Sequence, residues 1–117
     1  MTPAGVAAAY ARADLAELAA WHGPDQAAHR AAERQCFAAF ERLVATAVAY
    51  ADDTRTLDAM DAAMVGEDPD SPCLAYLLER RWSTVEGRGD DAAENALLAW
   101  VATHDREHAN AAPGGAA

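Results

Sequence analysis

Apolar residues recur at helical spacing along most of this chain, and no segment shows the strict alternation of a half-buried strand. The first pattern predicts a helix from Pro3 to Trp21, since Thr2 is suited to the N-cap and Pro3 to the first helical position. The sequence His22-Gly23-Pro24 ends this helix. Asp25 then caps a second predicted helix, which runs to about Ala51.

Three further helical patterns follow. The third helix runs to about Val65, and the sequence leaves open whether the chain breaks or only kinks before it, at residues 52–54. Ser71 is predicted to cap the fourth helix and Asp90 the last. The three apolar stripes consist of Leu57, Met60 and Met64; of Leu74, Leu77, Leu78, Trp82 and Val85; and of Leu97, Leu98, Trp100 and Val101.

Four or five helices joined by short connections predict an all-α fold, a four- or five-helix antiparallel bundle. The length of 117 residues fits one domain. We expect residues 1–109 to form the bundle. The sequence after Ala109, rich in Ala, Gly and Pro, is predicted to be a flexible C-terminal tail at 110–117.

The stock of large apolar side chains is small. Leu, Val and Phe total 17 of the 117 residues, so a single core is marginal for a chain of this size. Packing against a second copy would bury more apolar surface. We therefore expect a homodimer formed through an apolar helix face.

The net charge of −10 narrows the classes of partner. Nucleic-acid binding depends on Lys and Arg at phosphates, and this chain has no basic stripe, so neither nucleic acid nor an anionic membrane surface is expected to bind. A basic protein partner fits the charge better.

Localisation is predicted from the cysteines and the hydropathy. Two cysteines, Cys36 and Cys73, do not make a disulfide framework, and we expect both thiols to be free. The first 21 residues lack the uncharged core of a signal peptide, and no stretch is apolar and long enough to span a membrane. A cytoplasmic protein is expected.

Ionisable residues stand at several positions where core residues are expected. On a helical wheel His29 and Glu33 share the face of Phe37, Phe40, Val44 and Val48. His104 and His108 share the face of Leu97, Trp100 and Val101, while Asp14 and Glu17 lie on the stripe of Val6, Tyr10, Leu18 and Trp21. Burying a charge is costly unless it is paired or ligates a metal.

One interpretation of these residues is a metal site formed by His29, Glu33, His104 and His108, with Asp14 or Glu17 as a further ligand. Residues at i and i+4 lie on one helix face, and mixed imidazole and carboxylate ligands suit zinc or iron. The spacings His29-x-x-x-Glu33 and His104-x-x-x-His108 resemble fragments of hemerythrin-type di-iron bundles. That resemblance implies iron at these residues, and the further His and carboxylate expected on other helices are missing from this sequence.

The other interpretation is a structural polar cluster, in which these residues satisfy each other. Arg81 also lies on a predicted apolar face, so we expect it to pair with a carboxylate, with Glu17 and Glu33 as the leading candidates. The string from His104 to His108 spells H-x-x-E-H, as in inverted zincins, but no third ligand or substrate cleft accompanies it.

The sequence therefore favours a small acidic cytoplasmic protein that acts as a protein–protein interaction module, in a regulatory or accessory role. A His/carboxylate metal-binding bundle, which could be an enzyme, is the alternative. No catalytic residue can be named from the sequence.

Overall fold

Five α-helices make up the computed structural model, which describes residues 1–70, 72–83 and 92–111, with side-chain surroundings given as far as 81 in the second range and 104 in the third. The helices are α1 (Pro3–Trp21), α2 (Gln26–Ala49), α3 (Thr54–Glu67), α4 (Leu74–Ser83) and α5 (Ala92–Ala111). The predicted all-α fold is confirmed, and the described residues contain no strand.

Side-chain caps start the first three helices. The Thr2 hydroxyl accepts from the Gly5 N–H at 3.0 Å, and one Asp25 carboxylate oxygen accepts from the Ala27 and Ala28 N–H groups. Asp53 caps α3 by accepting from the Thr56 N–H and hydroxyl. The start of α1 and the cap of α2 lie where the sequence predicted them; the predicted caps Ser71 and Asp90 lie outside the described residues.

The ends of the helices differ slightly from the prediction. The chain breaks between α2 and α3. The second helix ends at Ala49, where the Tyr50 N–H donates to the Thr46 and Ala47 carbonyls, and α3 begins only at Thr54. This settles the choice between a break and a kink. The last helix continues to Ala111, two residues beyond the predicted end of the bundle at 109.

The first two helices form an antiparallel hairpin whose register is set by three contacts. The rings of Tyr10 and Phe40 lie 5.9 Å apart, and those of Trp21 and His29 lie 4.7 Å apart. Between them the Cys36 thiol faces the Asp14 carboxylate, with 3.9 Å between Sγ and Oδ1. The four-residue connection at 22–25 closes the hairpin.

The third helix packs along α1 in the same direction but is shorter. The starts of both helices line one groove, which contains Thr2 and Asp53. At the end of α3, the Glu67 carboxylate accepts a hydrogen bond from the Arg12 guanidinium of α1 at 2.8 Å. Because α1 continues for nine residues past Arg12, it extends roughly 13 Å beyond the end of α3.

The last helix packs against α4 and α2. Its side chains also reach α3, which runs in the same direction. Trp100 meets Asp58 and His104 meets Asp61, so residue numbers rise together on the two helices. The core lies between the hairpin, α3 and this second pair of helices. Its fully buried large side chains are Leu43, Leu57, Met60, Met64, Leu74, Leu78 and Leu97.

The predicted apolar face of α2 is partly confirmed, because Val44 is buried and Phe40 packs against the core. Phe37 is 66% exposed and Val48 is 37% exposed, although both were assigned to the core. The residues that α2 buries are Cys36, Ala39, Leu43, Val44 and Ala47. Several of these are small, because α1 and α2 approach through alanines, whereas the prediction gave most weight to the large side chains.

Candidate functional site

The closed end of the α1–α2 hairpin carries an apolar surface that no other described helix covers. We call this surface the hairpin tip, and it consists of Leu18, Trp21, His29, Glu33 and Phe37. Leu18 is 57% exposed and Trp21 is 65% exposed, although both lie on the α1 stripe whose earlier members, Val6 and Tyr10, are buried. The stripe is uncovered here because α3 ends near Arg12.

Three shallow grooves run across the hairpin tip and share residues with one another. The first, about 240 Å³, is lined by Asp14, Glu17, Leu18 and Trp21. The second, about 500 Å³, lies between Trp21, His29 and Arg30 around the interhelical turn. The third, also about 500 Å³, is lined by Arg30, Glu33, Arg34 and Phe37. Together they form a continuous surface with an acidic edge on α1 and a net basic edge on α2, where Glu33 lies between Arg30 and Arg34.

A half-buried cluster of Asp14, Glu17 and Cys36 lies at the base of the hairpin tip. One ligand atom from each of the three lies within 4.8 Å of the others. None of the ion pairs found among the described residues involves Asp14 or Glu17. The cluster therefore holds acidic groups close together without a cationic side chain to neutralise them.

The electrostatics of this cluster follow from burial and like charge. Burial raises the pKa of Asp14 above its usual range, and the neighbouring Glu17 and Asp68 carboxylates raise it further. Burial, followed by the effect of Glu17, raises the pKa of the Cys36 thiol to about 12. The Tyr10 hydroxyl, directly below, has a raised pKa for the same reasons, burial first and then Asp14. Cys36 is therefore a protonated, unreactive thiol at neutral pH.

The predicted metal ligands have different surroundings. His29 packs edge-on against Trp21, and its Nε2 is buried without a hydrogen-bond partner among the described residues. Glu33 is exposed. His104 lies against α3, at the level of Asp61, which places it roughly 20 Å from His29 along the helix direction. The side chain of His108 lies outside the described residues.

The structure thus brings His29 and Glu33 onto one surface but does not place His104 with them. Among the side chains it describes, the group with converging potential ligands is Asp14, Glu17 and Cys36, which contains the two residues predicted as further ligands. The four-residue metal site remains a prediction.

His104 belongs instead to a polar junction between three helices. The Asp61 carboxylate accepts from the Leu74 N–H at 2.9 Å through one oxygen and lies 3.1 Å from His104 Nε2 through the other. The side chains of His104 and Asp61 are only 20% and 13% exposed. Beside them, the Trp100 ring stacks on the His104 imidazole at 4.8 Å and donates from Nε1 to Asp58 at 3.0 Å.

This junction fits the structural interpretation of the polar residues. Asp61 caps the start of α4 and at the same time holds α5 through His104. Asp58 and Asp61 were not predicted as functional or structural residues from the sequence, although one signal pointed to them. A buried indole N–H generally finds an acceptor, so Trp100 required one on a neighbouring helix.

The predicted position of Arg81 is wrong. Its side chain is 41% exposed, and its guanidinium lies 3.8 Å from the carboxylate of Glu41, which is 42% exposed. The partners expected from the sequence were Glu17 and Glu33, but the carboxylate that Arg81 approaches is that of Glu41, in the C-terminal half of α2 and away from the hairpin tip. Both cysteines are free, as predicted.

Comparison with known proteins identifies no relative. No protein-family model, no curated protein and no solved structure matches this chain. None of the helices in the described part of the chain has the length and apolar character needed to cross a membrane.

Proposed function

We propose that this chain is a small acidic protein–protein interaction module, in a regulatory or accessory role, and that the hairpin tip is its binding surface. The observation that carries the proposal is the exposure of Trp21 and Phe37, at 65% and 66%, which are the most exposed large apolar side chains of the two helices. Contiguous exposed apolar surface rimmed by polar residues is characteristic of interaction sites.

The residue types at the hairpin tip support the same function. Binding energy at protein interfaces is concentrated in a few residues, enriched in Trp, Tyr and Arg. The tip offers Trp21 between Leu18 and Phe37, with Arg30 and Arg34 at its rim. The packing of Trp21 on His29 orients the indole before any partner binds, and such preorganisation lowers the entropic cost of association.

Site-specific photo-crosslinking in cells tests this function. A photoreactive phenylalanine analogue is placed at position 37 or 21, and at position 50 as a matched control, because Tyr50 is an exposed aromatic residue at the opposite end of the hairpin. We expect protein adducts at 37 and 21 that are weak or missing at 50. Equal yields at all three positions, or no adducts, would contradict the proposal.

The alternative function, a metal-binding bundle using His29, Glu33, His104 and His108, has a separate test. Elemental analysis of the purified full chain should give about one zinc or iron per binding site if that alternative is correct. Substoichiometric metal after purification without chelators would count against it. The crosslinking result does not depend on this measurement.

A further inference from the structure

We propose that the partner of the hairpin tip is a second copy of this chain, paired about a two-fold axis that runs along the hairpin, with the acidic edge of each copy against the basic edge of the other. The inference rests on the proposed function, because it names the partner of the same surface.

The first argument is the arrangement of charge at the hairpin tip. Asp14 and Glu17 line the groove on the α1 side, and Arg30 and Arg34 line the groove on the α2 side. None of these four residues takes part in an ion pair between described residues. The tip therefore carries unpaired charges of both signs around an apolar centre: two negative charges on the α1 edge, and two positive charges with the negative Glu33 between them on the α2 edge.

The second argument is the register of the hairpin. Trp21 faces His29 and Asp14 faces Cys36 across the antiparallel pair, so Glu33 lies at the level of Glu17 and Arg34 lies one residue from that level. In a two-fold pairing about an axis along the hairpin, α1 of one copy lies beside α2 of the other at an unchanged level. Glu17 of each copy then lies beside Arg34 of the other copy, twice, with Glu33 at the same level. Trp21 lies about one helical turn to one side of these pairs and Phe37 about one turn to the other.

The third argument is the distribution of net charge. Residues 12–37 contain three arginines and four carboxylates, a net charge of −1, whereas the whole chain carries −10. A strongly basic partner would be drawn to the remainder of the molecule, which carries −9. A nearly neutral surface with mixed signs is the part of this acidic chain that a second copy can approach with the least repulsion.

Charge reversal on the two edges tests the pairing. Arg30→Glu with Arg34→Glu removes the basic edge, and Glu17→Arg removes the acidic edge. Each variant alone should weaken self-association at least about tenfold by sedimentation equilibrium, because like charges then face each other. Mixing the two variants should restore association as a heterodimer. Arg42→Glu with Arg55→Glu makes the same change in net charge at exposed positions away from the tip, and it should leave self-association within about twofold.

The outcomes separate this inference from the proposed function. Circular dichroism first confirms that each variant is helical, and if Glu17→Arg does not fold, the rise of the wild-type dissociation constant with salt replaces the mixing experiment. Monomeric wild type at ~100 µM, or a mixture that stays monomeric, would overturn the pairing with a second copy. Adducts at position 37 with other proteins, but none with this chain, would leave the proposed function standing while removing this inference.

Discussion

The two halves of the α1–α2 hairpin share the same helices and the same register but have opposite surroundings. In the half near the start of α1, Ala7, Ala11 and Leu43 are completely buried, and α3 packs on α1 and α5 on α2. In the half near the interhelical turn, Leu18 and Trp21 continue the same stripe and are mostly exposed. The stripe is apolar in both halves of the hairpin. What differs is the cover, because the neighbouring α3 ends near Arg12.

Polar groups follow the same division. Among the helices that cover the first half of the hairpin, His104 and Trp100 of α5 contact carboxylates on α3, so these polar groups have partners. At the hairpin tip, His29 Nε2 has no hydrogen-bond partner among the described residues. Asp14 has the Cys36 thiol as its hydrogen-bond partner and otherwise faces other carboxylates. Such unsatisfied groups mark the half of the hairpin that a partner would complete.

The largest expected effect comes from the covered half. Leu43→Ala should lower the free energy of unfolding by about 2–5 kcal/mol, because it leaves a cavity in a closed core. Leu18→Ala removes the same atoms from the exposed half and should cost less than about 1 kcal/mol in the monomer. Urea unfolding at ~1 µM compares the two. Similar losses for both would show that the halves do not differ as described.

The three-helix junction should show the next largest effect. Asp61→Ala removes both the cap of α4 and the partner of His104, and should cost about 2–3 kcal/mol from lost capping and an unsatisfied buried group. Asp61→Asn keeps an oxygen that can accept from the Leu74 N–H, so it should cost less. Equal urea midpoints for wild type and Asp61→Ala would show that the junction does not stabilise the fold.

Asp14 should give a smaller effect with a defined pH dependence. Its pKa is raised in the folded protein, mainly by burial, so its favourable contribution is complete below the ordinary aspartate pKa and is lost as pH rises through the raised value. Asp14→Asn should therefore stabilise the monomer at pH 7 by up to about 1 kcal/mol, a modest figure because solvent screens the site.

The pH profile distinguishes this cause from a general change in stability. The gain from Asp14→Asn should vanish near pH 3, where both side chains are neutral. Asp70→Asn, at an exposed position in the α3–α4 connection, serves as the control and should show no such trend. A gain that persists unchanged at pH 3 would argue against charge as its origin.

The smallest expected effect is at Arg81. Because this side chain and its partner Glu41 are both about two-fifths exposed, Arg81→Ala should change the free energy of unfolding by no more than about 0.5 kcal/mol. The core placement expected from sequence would have required a loss of about 3–5 kcal/mol. Urea unfolding measures the difference. A loss in the free energy of unfolding as large as that would show that Arg81 is part of the core.

The helices could be predicted from sequence because their signals are local. Thr2 and Asp25 cap α1 and α2 as expected, and Met60 and Met64 lie on the buried face of α3. Caps and stripes depend on residues within a few positions of each other, and these signals are strong even in an alanine-rich chain.

The surroundings of the side chains could not be predicted because they depend on which helices meet and where each one ends. Trp21 and Phe37 are large and apolar, so the sequence placed them inside, whereas the short α3 leaves Trp21 outside. His104 was grouped with His29 by its spacing, but the contact of α5 with α3 gives it Asp61 as a neighbour. Neither the exposure of Trp21 nor the contact of His104 with Asp61 can be predicted from the sequence of a single helix.

The molar mass of the full chain in solution, by light scattering from ~1 to ~100 µM, tests the central claim most directly. Wild type should approach twice 12.3 kDa at the higher concentrations, while Trp21→Ser should remain at the monomer mass and Tyr50→Ser should behave as wild type. A monomeric wild type throughout, or a dimer that Trp21→Ser leaves intact, would contradict self-association through the hairpin tip.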